Sequence, residues 1–194
     1  MEEIFTEIYE KGIWNPKPGG EGISGWGSVL ENNLSYIQFL ELFLHFNKIT
    51  SIIDLGCGDW SFSKEVQWGD RRYLGIDIVQ GVIEKNKSLF SSQNISFLQA
   101  NAIEIDLPEA DLLLCKDVLM HLSNRAIFQL LKQFEKYKHC LITNTMDRKE
   151  NRDIPTGGFR PLDLTEAPFL LKGLKVFTYQ IETETKQVLY LCNK

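Results

Sequence analysis

The stretch Ile52-Ile53-Asp54-Leu55-Gly56-Cys57-Gly58-Asp59-Trp60 decides how this chain reads. An apolar run reaches an acid, and two glycines follow, one residue apart. A buried strand that turns sharply toward a helix has this form. Without a Cβ, Gly56 and Gly58 let backbone and ligand come close. Nineteen positions beyond Gly58, a second apolar run, Tyr73-Leu74-Gly75-Ile76-Asp77, also ends in a carboxylate. In nucleotide-binding α/β folds an acid so placed accepts hydrogen bonds from ribose hydroxyls. Together the two runs point to a cofactor that carries adenosine.

Outward from these runs the chain alternates. Apolar, β-branched stretches predict strands at 51–55, 73–78, 95–100, 111–116 and 140–144. Amphipathic spacing predicts helices at 61–67, 81–90 and 124–137, with Ser123 placed to cap the last. A further amphipathic helix is expected over 29–46, before the first strand. Strand and helix in turn imply a parallel sheet covered on both faces. The tail departs from this rhythm. Strand-like runs at 175–181 and 187–192 are linked only by Glu182-Thr183-Glu184-Thr185-Lys186. That link is too short for a crossover helix, so the two strands form an antiparallel hairpin.

A chain of 194 residues with 43% hydrophobic content supports one compact domain. The net charge of −5 speaks against a partner held by its phosphate backbone, so no nucleic acid is expected. The N-terminus, Met1-Glu2-Glu3-Ile4-Phe5-Thr6-Glu7, lacks the basic and apolar regions of a signal peptide. No apolar run has the length of a membrane span. Cys57, Cys115, Cys140 and Cys192 are scattered and read as reduced, mostly buried small hydrophobes. A cytoplasmic protein, monomeric or homodimeric and without a membrane partner, is the expectation.

Two segments resist regular structure. The first runs Trp14-Asn15-Pro16-Lys17-Pro18-Gly19-Gly20-Glu21-Gly22-Ile23-Ser24-Gly25-Trp26-Gly27-Ser28. Its prolines and glycines forbid a helix or strand, and its tryptophans suit either a lid over a ligand or a loop pinned to the core. We therefore treat 1–28 as a lid segment and 29–194 as the main domain. The second runs from Asn151 to Leu164 and leaves the fifth strand at the ligand-binding edge. There Arg152 or Arg160 either clamps an anionic group or pairs with Asp153 and Asp163.

From position 29 to 192 the chain resembles the class I S-adenosylmethionine-dependent methyltransferases, in particular their small stand-alone bacterial-type members. The resemblance rests on Asp54-Leu55-Gly56-Cys57-Gly58, on Asp77, on Gln99-Ala100-Asn101-Ala102, on the run Leu114 to Leu122, and on the terminal hairpin. It implies a Rossmann-like, mostly parallel seven-stranded sheet with helices on both faces and an antiparallel C-terminal hairpin. It also implies S-adenosylmethionine as cofactor, bound by Asp54, Gly56, Cys57, Gly58, Trp60, Asp77, Ile78, Asn101, Ala102 and Lys116. Trp60 stands where the family has a third glycine, and either shapes the methionine end or packs beneath the lid. Asn101 replaces the acid that meets the adenine amino group, and its amide oxygen can still accept.

Methyl transfer needs donor and acceptor aligned, water excluded and, for a hydroxyl acceptor, a proton removed. His121 is the candidate base, since imidazole titrates near neutrality; its alternative is to order the turn before the 124–137 helix. Asp117 orients His121, holds the acceptor, assists the methionine amino group, or caps the turn. Trp14, Trp26, Asn144 and Arg160 are candidate acceptor contacts. Asp117 with Asn144 is too thin a ligand set for magnesium, so no metal is expected. The expected activity is methyl transfer to a small-molecule or glycan-type polar acceptor. Two alternatives stand beside it: a non-catalytic S-adenosylmethionine-binding module and a nicotinamide-dependent oxidoreductase.

Overall fold

The strands form where the apolar runs fall. The structure, a computed structural model, describes residues 1–16, 22–146, 151–182 and 184–193. Positions 17–21 of the expected lid and Thr183 of the hairpin link lie outside the described residues. Seven strands make one sheet: β1 (Ser51–Leu55), β2 (Arg72–Asp77), β3 (Ile95–Gln99), β4 (Leu112–Lys116), β5 (His139–Met146), β6 (Leu174–Ile181) and β7 (Glu184–Cys192). Their spatial order is β3-β2-β1-β4-β5-β7-β6. The first five run parallel, and β7 enters antiparallel between β5 and β6.

Every residue of β1 is buried, as parallel strands with helices on both faces require. Alternation sends Ile53 and Leu55 to one core and Ile52 to the other. The first core holds Ile127, Leu130 and Phe134 of α4 (Asn124–Phe134), with Phe5 and Ile8 of α1 (Glu2–Glu10). The second holds Tyr36, Ile37, Leu40 and Leu44 of α2 (Leu34–Phe46), with Ile83 of α3 (Gln80–Phe90). Since α1 shares a core with the sheet, the first residues pack as part of the same body as the main domain.

The chain steps from β1 to β2 on one side and later to β4 on the other. Their C-terminal ends therefore part around a crevice, the usual ligand position in an open α/β sheet. No helix among the described residues is long and apolar enough to cross a membrane.

Three helix expectations need correction. The helix expected over 61–67 is only a 3-10 turn, Ser63–Glu65. Trp60 takes a left-handed φ of 58°, and Ser61 turns its N–H and hydroxyl to Asp59, so the backbone leaves no helical start. The helix expected from 29 begins instead with the 3-10 turn Leu30–Asn33 and becomes α-helical at Leu34. The helix expected to reach 137 stops at Phe134, while its cap is as expected, the Ser123 hydroxyl accepting from the Ala126 N–H. Between 151 and 173 the chain forms no helix or strand.

Candidate active site

The glycine turn closes β1 against its neighbours. The Gly56 and Cys57 N–H groups both donate to the Ile76 carbonyl, at 2.7 and 3.1 Å. Gly56 and Gly58 have φ of 70° and 57°, where a side chain is strained. A Cβ on Gly56 would collide with the Val118 side chain, and one on Gly58 would stand 2.7 Å from the Ser24 hydroxyl. The missing side chains thus make room for the turn after β4 and for the N-terminal cover, and both glycines also line the crevice.

Asp77 is buried at the end of β2, where its two oxygens accept from the Gly58 and Val79 N–H groups, each at 3.0 Å. Burial pushes its pKa up, and those backbone donors pull against that. Each oxygen keeps a lone pair for a hydroxyl. Asn101 is half-buried on the crevice wall, its amide oxygen accepting from the Ile103 N–H at 3.2 Å. One lone pair of that oxygen is spent on the local turn and the other is left.

Asp54 ends a buried relay. The Trp60 indole N–H donates to the Tyr73 hydroxyl at 2.8 Å, which donates to Asp54 at 2.6 Å. Burial lifts the Asp54 carboxyl to about 6, with Tyr73 and Lys116 restraining the rise. Trp60 itself packs against Phe90 and Phe97 and is 4% exposed. It supports the floor from beneath, and its ring does not reach the crevice.

Beyond Asp54 lies a chain of ion pairs. Lys116 donates to Asp117 at 2.7 Å, and Lys186 donates to the other Asp117 oxygen at 3.0 Å. Lys186 also meets Glu184 at 3.0 Å and the Thr145 hydroxyl at 2.6 Å. Burial alone would raise the Asp117 carboxyl, yet the two lysines overcome it and hold the group at about 2. Asp117 is therefore a fixed anion.

His121 sits on the turn after β4. Its Nδ1 lies 2.8 Å from the Gly158 carbonyl, which can only accept, so Nδ1 carries the proton and Nε2 keeps its lone pair. Burial lowers the pKa of the ring and favours that neutral form. Trp14 packs on the imidazole at 4.7 Å between centroids and Phe159 at 5.9 Å. The 151–164 segment is tied to this turn, with Gly157 donating to the His121 carbonyl at 2.8 Å.

These groups face one cavity of about 420 Å3, within the range of small-ligand sites. The cover roofs part of it: Ser24 accepts from the Asp59 N–H at 2.9 Å and bonds the Tyr9 hydroxyl at 2.7 Å, over the glycine turn. The cavity is lined by Asp54, Gly56, Cys57, Gly58, Asp77, Ile78, Asn101, Ala102 and Lys116, and by Asp117, His121, Trp14 and Trp26. Trp60, Asn144 and Arg160 are not brought there. Asn144 is buried in β5 beside a second, minor cavity near Leu162. Arg160 is also buried, its guanidinium donating to the Leu122 carbonyl and to Asn124, so it braces the start of α4 and clamps no anion in the crevice. Sequence reasoning missed Tyr9, Asn15, Glu184 and Lys186, which line the same cavity. The pattern of β7, a strand, gave Glu184 and Lys186 no mark, since it could not say where along β5 they would land.

Residues 52–137 match a family model described as a methyltransferase domain. A comparison with curated proteins finds no match. Among solved structures, the chain is similar to magnesium protoporphyrin IX methyltransferase from Synechocystis PCC 6803, solved with bound S-adenosylhomocysteine. The identity is 11%, all of both chains is covered, and the TM-score is 0.66. It is similar as well to the N-methyltransferase NodS from Bradyrhizobium japonicum WM9, in complex with S-adenosylhomocysteine, at 14% identity over 97% of each chain and a TM-score of 0.70. At such identities the structural likeness speaks for the fold, and the family match speaks for the segment from β1 through α4. The glycine turn and Asp77 lie within the segment that matches a methyltransferase domain, and the whole chain, with β7 inserted, has the fold of these two S-adenosylhomocysteine-bound methyltransferases.

Proposed function

We propose that the protein transfers the methyl group of S-adenosylmethionine to a polar acceptor, a small molecule or glycan, admitted beside Trp14, Trp26 and the His121 turn. The sulfonium supplies the activated methyl; the chain supplies position, dryness and a base. Asp77 holds the ribose hydroxyls with its free lone pairs, Asn101 and Ala102 edge the adenine, and Asp54 with Lys116 meets the methionine end. The described parts of the cover, Tyr9 to Asn15 and Ser24 to Gly27, keep water from the reacting atoms. His121 takes a proton from the acceptor at Nε2. Asp117, locked between Lys116 and Lys186, positions the strand ends and takes no proton.

The observation that carries this reading is the Nδ1 bond of His121 to Gly158, which fixes the tautomer and leaves a base on the crevice wall. The solved relatives are described as acting on acceptors as unlike as magnesium protoporphyrin IX and phosphoethanolamine, so the acceptor of this chain is read from its own crevice. Titration calorimetry with adenosylmethionine and adenosylhomocysteine is the direct test. Heat with both is expected, and none with either in folded protein overturns the proposal.

A further inference from the structure

We propose that the acceptor is an amine, held as its ammonium by Glu184 and Asn15 and deprotonated by His121. This rests on the function above and narrows the acceptor class of the same crevice. The argument turns on which polar groups still have bonding capacity. Lys186 has none to offer: its three N–H bonds go to Asp117, Thr145 and Glu184. Lys116 spends itself on the Gly27 carbonyl and Asp117, against the faces of Tyr36 and Phe62. Lys186 is closed to an anion, and the remaining N–H of Lys116 serves the methionine end of the donor, so neither lysine holds an anionic acceptor.

Three side chains on the wall accept and still have capacity to spare. Glu184 uses Oε2 for Thr145 and Lys186 and leaves Oε1 without a partner among the described residues. The Asn15 amide oxygen is buried and has no partner among the described residues, which asks for an explanation in a folded protein. His121 keeps the Nε2 lone pair. All three side chains line the one cavity. A hydroxyl brings a single donor to three acceptors, whereas a primary ammonium brings three.

Charge agrees. Among the lining side chains, four carboxylates (Asp54, Asp77, Asp117 and Glu184) stand against two lysines, a negative excess. Such a lining favours an ammonium over an anionic acceptor. Trp14, Trp26 and Phe159 add aromatic walls that favour a cation. In the reaction, one N–H proton passes to Nε2 of His121. The freed nitrogen lone pair forms the bond to the methyl carbon as the carbon–sulfur bond breaks, its electron pair going to sulfur.

The test is calorimetry on the full chain loaded with adenosylhomocysteine, using matched pairs: 2-phenylethylamine and 2-phenylethanol, cyclohexylamine and cyclohexanol, glucosamine and glucose. At least one amine is expected to bind, at least tenfold more tightly than its alcohol. Glu184→Gln is expected to erase that preference, and Asn15→Asp to widen it, while adenosylhomocysteine binding stays within twofold in both. Alcohols that bind as well as the amines, or an absence of amine binding, overturn the proposal and leave the methyltransferase reading standing. Failure of adenosylhomocysteine to bind in the loading step removes that reading, and this inference with it.

Discussion

Lys116 and Gly27, 89 positions apart in the chain, are joined by a hydrogen bond of 2.7 Å from the lysine ammonium to the glycine carbonyl. The bond ties the N-terminal cover to the end of β4. It works because Gly27 has no side chain: a Cβ there would collide with the Asp117 carboxylate. Gly27→Ala is therefore expected to lift the cover while leaving the sheet intact. Adenosylhomocysteine should bind about tenfold more weakly, for a loss near 1.4 kcal/mol. Limited proteolysis should cut the N-terminal segment faster, with an unchanged urea midpoint for the rest.

Asp117 links stability to acid. Its folded pKa of about 2 lies below the ordinary 3.8, so its contribution is present above about pH 4 and disappears as the pH falls toward 2. The shift corresponds to about 2 kcal/mol. Asp117→Asn also leaves the buried Lys116 ammonium without its carboxylate and Lys186 with Glu184 alone, and is expected to cost about 3–5 kcal/mol at pH 7. Urea unfolding of both proteins from pH 7 down to pH 2 checks this. The gap between them should narrow below pH 4.

His121→Ala is expected to leave adenosylhomocysteine binding unchanged and to slow turnover by about 10²–10⁴-fold. Because burial lowers the imidazole pKa, the wild-type rate should rise with pH through a limb below the usual histidine value of 6.5 and then level off. That limb should vanish in the variant. Full turnover in His121→Ala would assign the ring to holding Gly158.

Tyr73→Phe removes the hydroxyl that joins Trp60 to Asp54. An indole N–H is left buried without its acceptor, at a cost of about 1–3 kcal/mol in thermal or urea unfolding. Asp54 also loses a donor, so its titration, followed by carboxyl NMR, should move above about 6.

Asp77→Ala removes the carboxylate that accepts from both the Gly58 and Val79 N–H groups. Binding of adenosylmethionine is expected to fall below detection in calorimetry while far-UV circular dichroism is retained.

The sheet was legible because parallel strands buried on both faces must be apolar throughout. The runs around Ile52, Tyr73, Leu113 and Leu141 announce themselves, and all seven expected strands are present within a few residues. The short link after Ile181 likewise dictated the antiparallel pairing of β6 and β7. The turn after β1 misled, since no periodicity shows that Trp60 takes a left-handed φ and ends the helix before it begins. At the site, Asp77 and the glycines carry a local signal. Glu184 and Lys186 do not: their position follows from the register of β7 on β5, where Lys186 falls opposite Thr145. Arg160, a candidate acceptor contact on residue type and place in the chain, has its guanidinium taken by the Leu122 carbonyl and the Asn124 side chain, a tertiary pairing with no local signal.

The cover bonded through Ser24, Tyr9 and Lys116 has a kinetic consequence. The cavity beside them stays partly open, so the bonds narrow the passage of a nucleoside without shutting it. Ser24→Ala, which removes two of them, is expected to quicken the release of adenosylhomocysteine, read by stopped-flow competition.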